Sequence, residues 1–247
     1  MPSVDVSLAV PNGSPKLIIS CNNSIIAQVD GASHLHGDQN VYFVGIRDVP
    51  VKLHTEPGRT CFIGIEFRPH GAYPIVKMPM IELTNRLLPA AELFRDWGLS
   101  VTEGVTNLAS AKDRADYVQE LLLRRLQEDI PACPAVEYCV EAMSATAGLV
   151  PIPELERKTG YSQRYLEMLF KKHVGVSPKT LAGIFRFQRF YGKWARGQSY
   201  DKIKQEIYAY YYDQAHFARD FRRKTGFYPQ RFVGEVSNTF GRQLSLQ

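Results

Sequence analysis

Tyr161-Ser162-Gln163-Arg164-Tyr165-Leu166-Glu167-Met168-Leu169-Phe170-Lys171-Lys172, closed by Gly175 and Pro178, occurs a second time 51 residues later. In the second copy Tyr212, Asp213, Gln214, Phe217, Phe221, Arg222, Arg223, Gly226 and Pro229 stand where Tyr161, Ser162, Gln163, Leu166, Phe170, Lys171, Lys172, Gly175 and Pro178 stand in the first. The register runs on to Leu181 and Phe232 without a gap, as a duplicated structural unit requires.

Each copy has one physical reading. Ser162 and Asp213 are side chains that accept a backbone N–H and begin a helix. Leu166, Leu169 and Phe170 fall on one face, as do Phe217 and Phe221. Gly175 and Gly226 follow the last apolar turn, where a left-handed residue ends a helix, and Pro178 and Pro229 suit the first turn of the next. Opposite the apolar face lie Gln163, Arg164, Glu167, Lys171 and Lys172 in copy one, and Gln214, Arg219, Arg222, Arg223 and Lys224 in copy two. A short helix with an apolar back and such a front suits a DNA major groove. There Gln and Arg read base edges, and Lys or Arg holds phosphate.

On these residues, positions 148 to 233 resemble the paired helix-turn-helix domain of AraC/XylS-type transcription regulators. The resemblance rests on Gly160-Tyr161-Ser162, Leu166 with Phe170, Gly175-Val176-Ser177-Pro178, Asp213-Gln214-Ala215-His216-Phe217 with Arg219 and Phe221, and Gly226 with Pro229. The pattern from Pro178 to Ala195 predicts a connecting helix of about 18 residues, roughly 27 Å long. That approaches the roughly 34 Å of one turn of B-DNA, so both recognition helices can enter successive major grooves. We take Ser162, Gln163, Arg164, Glu167, Lys171, Lys172, Gln214, Arg219, Arg222 and Arg223 as the DNA-contacting residues. Of these, Lys171, Lys172, Arg222 and Arg223 are expected on the phosphate backbone.

Two departures from the family stand out. The helix before the second recognition helix is expected from Asp201 through Ile203 and Ile207 to a glycine turn. This chain instead has Tyr208-Ala209-Tyr210-Tyr211-Tyr212, with two extra residues and no glycine. Bulky side chains disfavour the positive φ of such turns, and the tyrosines read as packing residues around an altered turn or as stacking platforms for single-stranded bases. Glu156 stands where relatives place alanine.

The 247 residues suffice for two ordinary domains, and 45% apolar with 22% charged residues describes a globular chain. The net charge of +5 is unevenly spread: residues 151–247 carry 18 Lys/Arg against 8 Asp/Glu, and residues 1–150 carry 12 against 17. A basic back on an acidic front fits a nucleic-acid reader attached to a sensing part. Cys21, Cys61, Cys133 and Cys139 are scattered without a C-x-x-C pair, which argues for reduced thiols in the cytoplasm. No signal peptide and no run long enough to span a membrane is present.

Residues 4 to 75 read as short strands: Val4–Val10, Lys16–Ser20, Ser24–Val29, Val41–Ile46, Val51–His54 and Arg59–Phe67. Such spacing argues for a sandwich or barrel. The segment resembles the cupin-like sensor domain that precedes the reader in many AraC-type regulators, one subgroup more closely through Val10-Pro11-Asn12-Gly13, Phe62 to Pro74 and Glu82-Leu83-Thr84-Asn85. Members of that subgroup carry a further stretch before Val10, so a shortened opening is expected. Residues 79–97 and 111–128 read as helices, the second with an apolar stripe of Tyr117, Val118, Leu121, Leu122 and Leu126. In the family such helices form dimer interfaces; packing on the barrel is the competing reading. Ile130-Pro131-Ala132-Cys133-Pro134 reads as the linker.

The expected architecture is therefore α+β: a cupin-like β-sandwich or barrel with helices over 1–130, then an all-α reader of two helix-turn-helix motifs over 131–247. His34-Leu35-His36 has a spacing that puts two imidazoles on one face of a strand, as a cupin metal site requires. With no glutamate following, a surface loop is the favoured reading, leaving His34 and His36 as weak metal candidates. No nucleophile elbow or phosphate loop is present. The resemblance implies a cytoplasmic, non-enzymatic regulator without a cofactor. Its partners would be double-stranded promoter DNA, RNA polymerase, an effector of unknown identity and a second copy in a homodimer. A metalloenzyme with a relic DNA-binding tail and a regulator that binds DNA without specificity are the alternatives.

Overall fold

The computed structural model describes residues 5–22, 25–29, 32–36, 41–55, 61–94, 96–127, 133–195, 198, 203, 206–207 and 209–229. An N-terminal antiparallel β region is followed by a helical C-terminal domain. Strands β1 (Asp5–Ala9), β2 (Lys16–Asn22), β3 (Ile25–Val29), β4 (Ala32–His36), β5 (Val41–Val44), β6 (Val51–Thr55), β7 (Cys61–Glu66) and β8 (Leu87–Pro89) make two four-stranded sheets. Their orders are β1-β6-β3-β4 and β7-β2-β5-β8.

The strand at 32–36 corrects the loop expected around His34 and His36. Val29 pairs with Ala32, Ala27 with His34 and Ile25 with His36, so antiparallel pairing with β3 sets the conformation of this segment.

The helix expected over 79–97 is also corrected. Its residues divide into a short 3-10 turn (Met80–Leu83), strand β8 and helix α2 (Ala90–Phe94). Asn85 at φ 61° breaks the run, and pairing of Leu88 with Phe43 across β5 wins over local helical preference. Helix α3 (Asp96–Thr106) is hidden in the sequence because it contains Gly98 and Gly104. Both are packing positions: a side-chain carbon at Gly98 would meet the Ala90 carbonyl at 2.0 Å, and one at Gly104 the Tyr117 ring at 2.2 Å.

Helices α1 (Tyr73–Val76) to α4 (Ala111–Leu126) cover one sheet. Leu17, Ile19, Val41 and Phe43 from the strands meet Ile75, Val76, Phe94, Val101, Val105, Val118 and Leu122. The α4 stripe thus packs inward through Val118 and Leu122, while Leu123 and Leu126 are exposed.

Residues 130–132 of the expected linker lie outside the described residues, and Cys133 leads into α5 (Pro134–Ala145). Then come α6 (Ile152–Thr159), α7 (Gln163–His173), α8 (Pro178–Ala195) and α9 (Gln214–Thr225), with helical residues at Ile203, Glu206, Ile207, Ala209 and Tyr210 between the last two. Two cores fill this part. Val136, Met143, Leu155, Leu166, Phe170 and Leu181 make one, and Phe187, Phe190, Tyr191, Ile207, Phe217 and Phe221 the other. Each takes in a residue of the β region: Ile46 in the first, Leu8 in the second.

Candidate nucleic-acid interface

Head one consists of α6, the turn at Gly160 and α7. Gly160 closes α6 in the left-handed region at φ 73°, where glycine carries no steric cost. Ser162 then accepts the backbone N–H of Tyr165. Glu156, the departure from the family, accepts the N–H of Gln163 at 2.6 Å. Its carboxylate therefore supplies a second cap, favoured at a helix N-terminus.

Leu166 and Phe170 are fully buried behind the helix. In front, Gln163, Arg164, Tyr165, Met168 and Lys171 are exposed. The Gln163 amide donates to the Glu167 carboxylate at 3.1 Å, so these two predicted readers occupy one another in the free chain. Arg164 and Lys171 have no ion-pair or hydrogen-bond partner among the described residues. An open groove of about 600 Å³ runs along the face, lined by Ser162, Arg164, Tyr165, Glu167, Met168 and Lys171. Met168 and Tyr165 line this groove without having been expected there, because an apolar side chain reads as core. Their spacing from Arg164 and Tyr161, four residues each, was the available signal.

Head two ends in α9. Asp213 accepts the His216 N–H at 2.6 Å, and Gly226 closes the helix at φ 81°. Phe217 and Phe221 are buried, while Gln214, Ala215, Arg219, Arg222 and Arg223 are exposed. Among the described residues of the altered turn none has a positive φ: of the described non-glycine residues only Lys77, Asn85 and Ala147 adopt it. Tyr211 instead enters the core, with its ring 5.2 Å from Phe217 and 5.8 Å from Phe190. Its hydroxyl donates to Asp220 at 2.8 Å. Burial and the Asp220 charge hold that hydroxyl far above its ordinary range, so it stays protonated as the donor.

The packing expected of the tyrosines therefore describes Tyr210, edge-on to Phe190, and Tyr211. It does not describe Tyr212, which is 92% exposed. Tyr208 lies outside the described residues. His216 packs against the Tyr211 ring, with centroids 5.3 Å apart. Lys224, expected on the basic front, is buried and paired with Asp220, because the 3.6-residue period carries position 224 round to the inner side.

The four expected phosphate anchors are not equivalent. Lys171 is free. Lys172 lies 5.6 Å over the Tyr73 ring. Arg222 stacks on Tyr228 at 4.7 Å and donates to its hydroxyl at 2.6 Å. Arg223 pairs with Asp48 of the β region, whose carboxylate is held by the Asn85 amide at 2.7 Å.

The β region also grips head one. Thr84 Oγ1 donates to the Gly175 carbonyl at 2.6 Å, and His173 lies against Tyr73 with ring centroids 4.2 Å apart. Burial, with the Lys172 charge and His70 behind it, holds the His173 imidazole below its ordinary range. His70 is lowered by burial and Arg68, against the opposing pull of Glu137 and Glu141. A cleft of about 640 Å³ separates residues 66–70 from α5 and α8.

Cys133 and Cys139 are free thiols, Cys139 pushed up to about 11 by burial. No group of three His, Cys, Asp or Glu suited to a metal occurs among the described residues, and the side chains of His34 and His36 lie outside that description. Among the described residues no helix is long and apolar enough to cross a membrane.

Residues 155–234 match the family described as "Helix-turn-helix domain", and residues 3–89 the family described as "Domain of unknown function (DUF6597)". No curated protein matches the chain. Solved structures similar to it include ToxT from Vibrio cholerae, at 11% identity and a TM-score of 0.49, covering 96% of this chain and 97% of that one. Wild-type ToxT with an unsaturated fatty acid bound is similar at 12% identity and a TM-score of 0.47, covering 96% and 93%. The AraC-like transcriptional activator CuxR shares 15% identity at a TM-score of 0.28, covering 75% and 69%.

Proposed function

From residues 155–234 being an AraC-type helix-turn-helix domain, we propose that the protein is a sequence-specific regulator of transcription that grips promoter DNA with two recognition helices. One observation carries this reading. Two capped helices, α7 and α9, flank the 18-residue α8 and each turns outward an arginine without a partner among the described residues, Arg164 and Arg219. Free guanidinium groups on a helix front are what base-edge reading requires.

The division at residue 130 assigns signal reception to the first part and DNA reading to the second. Control by the first part is supported by Leu8 and Ile46, which complete the cores of the two heads. The cleft beside Arg68 and His70 is our candidate place for a small effector. Recruitment of RNA polymerase, assembly as a homodimer and a cytoplasmic location follow from the same reading.

Selection of bound duplexes from a randomised pool at near-physiological salt tests it. Two enriched blocks about 10 base pairs apart are expected, one blurred by Arg164→Ala and the other by Arg219→Ala. Binding with a steep salt dependence and no enrichment would leave only non-specific attraction to phosphate.

A further inference from the structure

The 51-residue register pairs Arg164 with Ala215 and Met168 with Arg219. All four side chains are exposed, and in each head the two positions lie four residues apart on one helix face. Head one therefore presents arginine first and an apolar side chain one turn later. Head two presents the apolar side chain first and arginine one turn later.

The other cations of these faces are engaged or act as point charges. Arg222 is on Tyr228, Arg223 on Asp48, Lys172 on Tyr73 and Lys224 within the core. Lys171 is free, but an ammonium lacks the planar fork that reads guanine. Arg164 and Arg219 remain as the base readers. Met168 is 54% exposed on a helix whose opposite face already fills the core, so its apolar surface has no partner within its own head. It lines the open groove together with Arg164. In a major groove the apolar feature that such a side chain meets is the thymine methyl group, and alanine makes the same contact. Four residues of helix advance about 6 Å, close to two base pairs at roughly 3.4 Å each.

We infer that head one reads a guanine with Arg164 and a thymine methyl about two base pairs away with Met168, and that head two reads the same pair in reverse order, Ala215 meeting the thymine and Arg219 the guanine. Although the protein unit is duplicated, the two half-sites are not direct repeats. This rests on the two-headed reading proposed above and gives it a base composition.

The full chain is tested against two randomised duplex pools, one built with thymidine and one with deoxyuridine in its place. With thymidine, each block carries guanine and thymine, in opposite order along the two recognition helices. With deoxyuridine, which keeps every hydrogen-bonding group and loses only the methyl, the guanines persist and the thymine positions lose their preference. Deoxyuridine at the thymine position of the selected duplex weakens binding roughly three- to five-fold, the worth of one buried methyl group. Met168→Arg, which copies head two at that position, replaces the thymine of block one by a second guanine. Thymine preference that survives deoxyuridine or Met168→Arg overturns the inference, as do blocks with guanine in the same place. Those results leave two-headed reading intact, whereas a chain that enriches no block removes both proposals together.

Discussion

The two heads descend from one sequence pattern and are held by different devices. In head one the turn into the recognition helix is a glycine with open space around it, and the helix start is doubly capped by Ser162 and Glu156. In head two Tyr211 replaces that economy. It fills the core between Phe190 and Phe217 and fixes Asp220, in the middle of the recognition helix, through its hydroxyl. The closing glycines differ as well. Gly226 has only its left-handed φ to satisfy, with Pro50 4.0 Å away, whereas a side-chain carbon at Gly175 would also meet the Met80 carbonyl at 2.8 Å. Head one is pressed against the β region by its backbone. Head two touches it through the Arg223–Asp48 ion pair and through Leu8. The lesson is that a duplicated fold keeps its caps and apolar face, while the turn and the attachment are free to diverge.

Removing Tyr211 should break the comparison most sharply. Tyr211→Ala leaves a cavity of aromatic size and is expected to cost about 3–5 kcal/mol, read by denaturant unfolding. Footprints of the folded fraction should lose block two and keep block one. Tyr211→Phe keeps the ring and strips the hydroxyl, for about 1 kcal/mol. If Phe costs as much as Ala, the hydrogen bond to Asp220 dominates and the core account fails.

Ile46→Ala and Leu8→Ala each remove a buried residue that the β region lends to a head. A cost of about 2–4 kcal/mol is expected for each. Hydrogen exchange should localise the loosening to α7 for Ile46→Ala and to α9 for Leu8→Ala. Equal loosening of both heads by either variant would show one cooperative reader rather than two. Glu156→Ala removes a cap present in head one alone and should cost about 0.5–1 kcal/mol, without moving block two.

Acidification should also discriminate. His173 and His70 have imidazoles depressed below the unfolded value of about 6.5. The unfolded chain then binds protons more readily, so stability is intact above about pH 6.5 and falls as pH drops below it. The same neutral state serves docking of Tyr73 on His173, so exchange protection of α7 should fall with pH before that of α9. His173→Gln should flatten the α7 response, and an unchanged response would place the titration elsewhere.

The smallest effect is expected at Asp48. An ion pair with an exposed arginine is worth little, so Asp48→Asn should raise affinity for random-sequence DNA roughly two- to five-fold. Freeing Arg223 for one more phosphate should steepen the salt slope by about 0.9. Lower affinity would mean that Asp48 aims Arg223 at phosphate instead of withholding it.

The sequence by itself determined whatever depends on neighbours along the chain. Ser162 and Asp213 as caps, Gly160 and Gly226 as left-handed closures, the Leu166–Phe170 and Phe217–Phe221 stripes and the span of α8 are local, because a helix satisfies its backbone within itself. Only the tertiary structure decided what depends on distant partners. Strand β8 exists because β5 accepts it, and α3 holds despite two glycines because α2 and Tyr117 occupy their space. Among the basic residues, Arg164 and Arg219 were left exposed while Lys224 was buried and Arg223 was paired with a residue 175 positions away. A charge pattern records which side chains can meet phosphate or bases. Which of them are available is settled by what else the folded chain has placed within their reach.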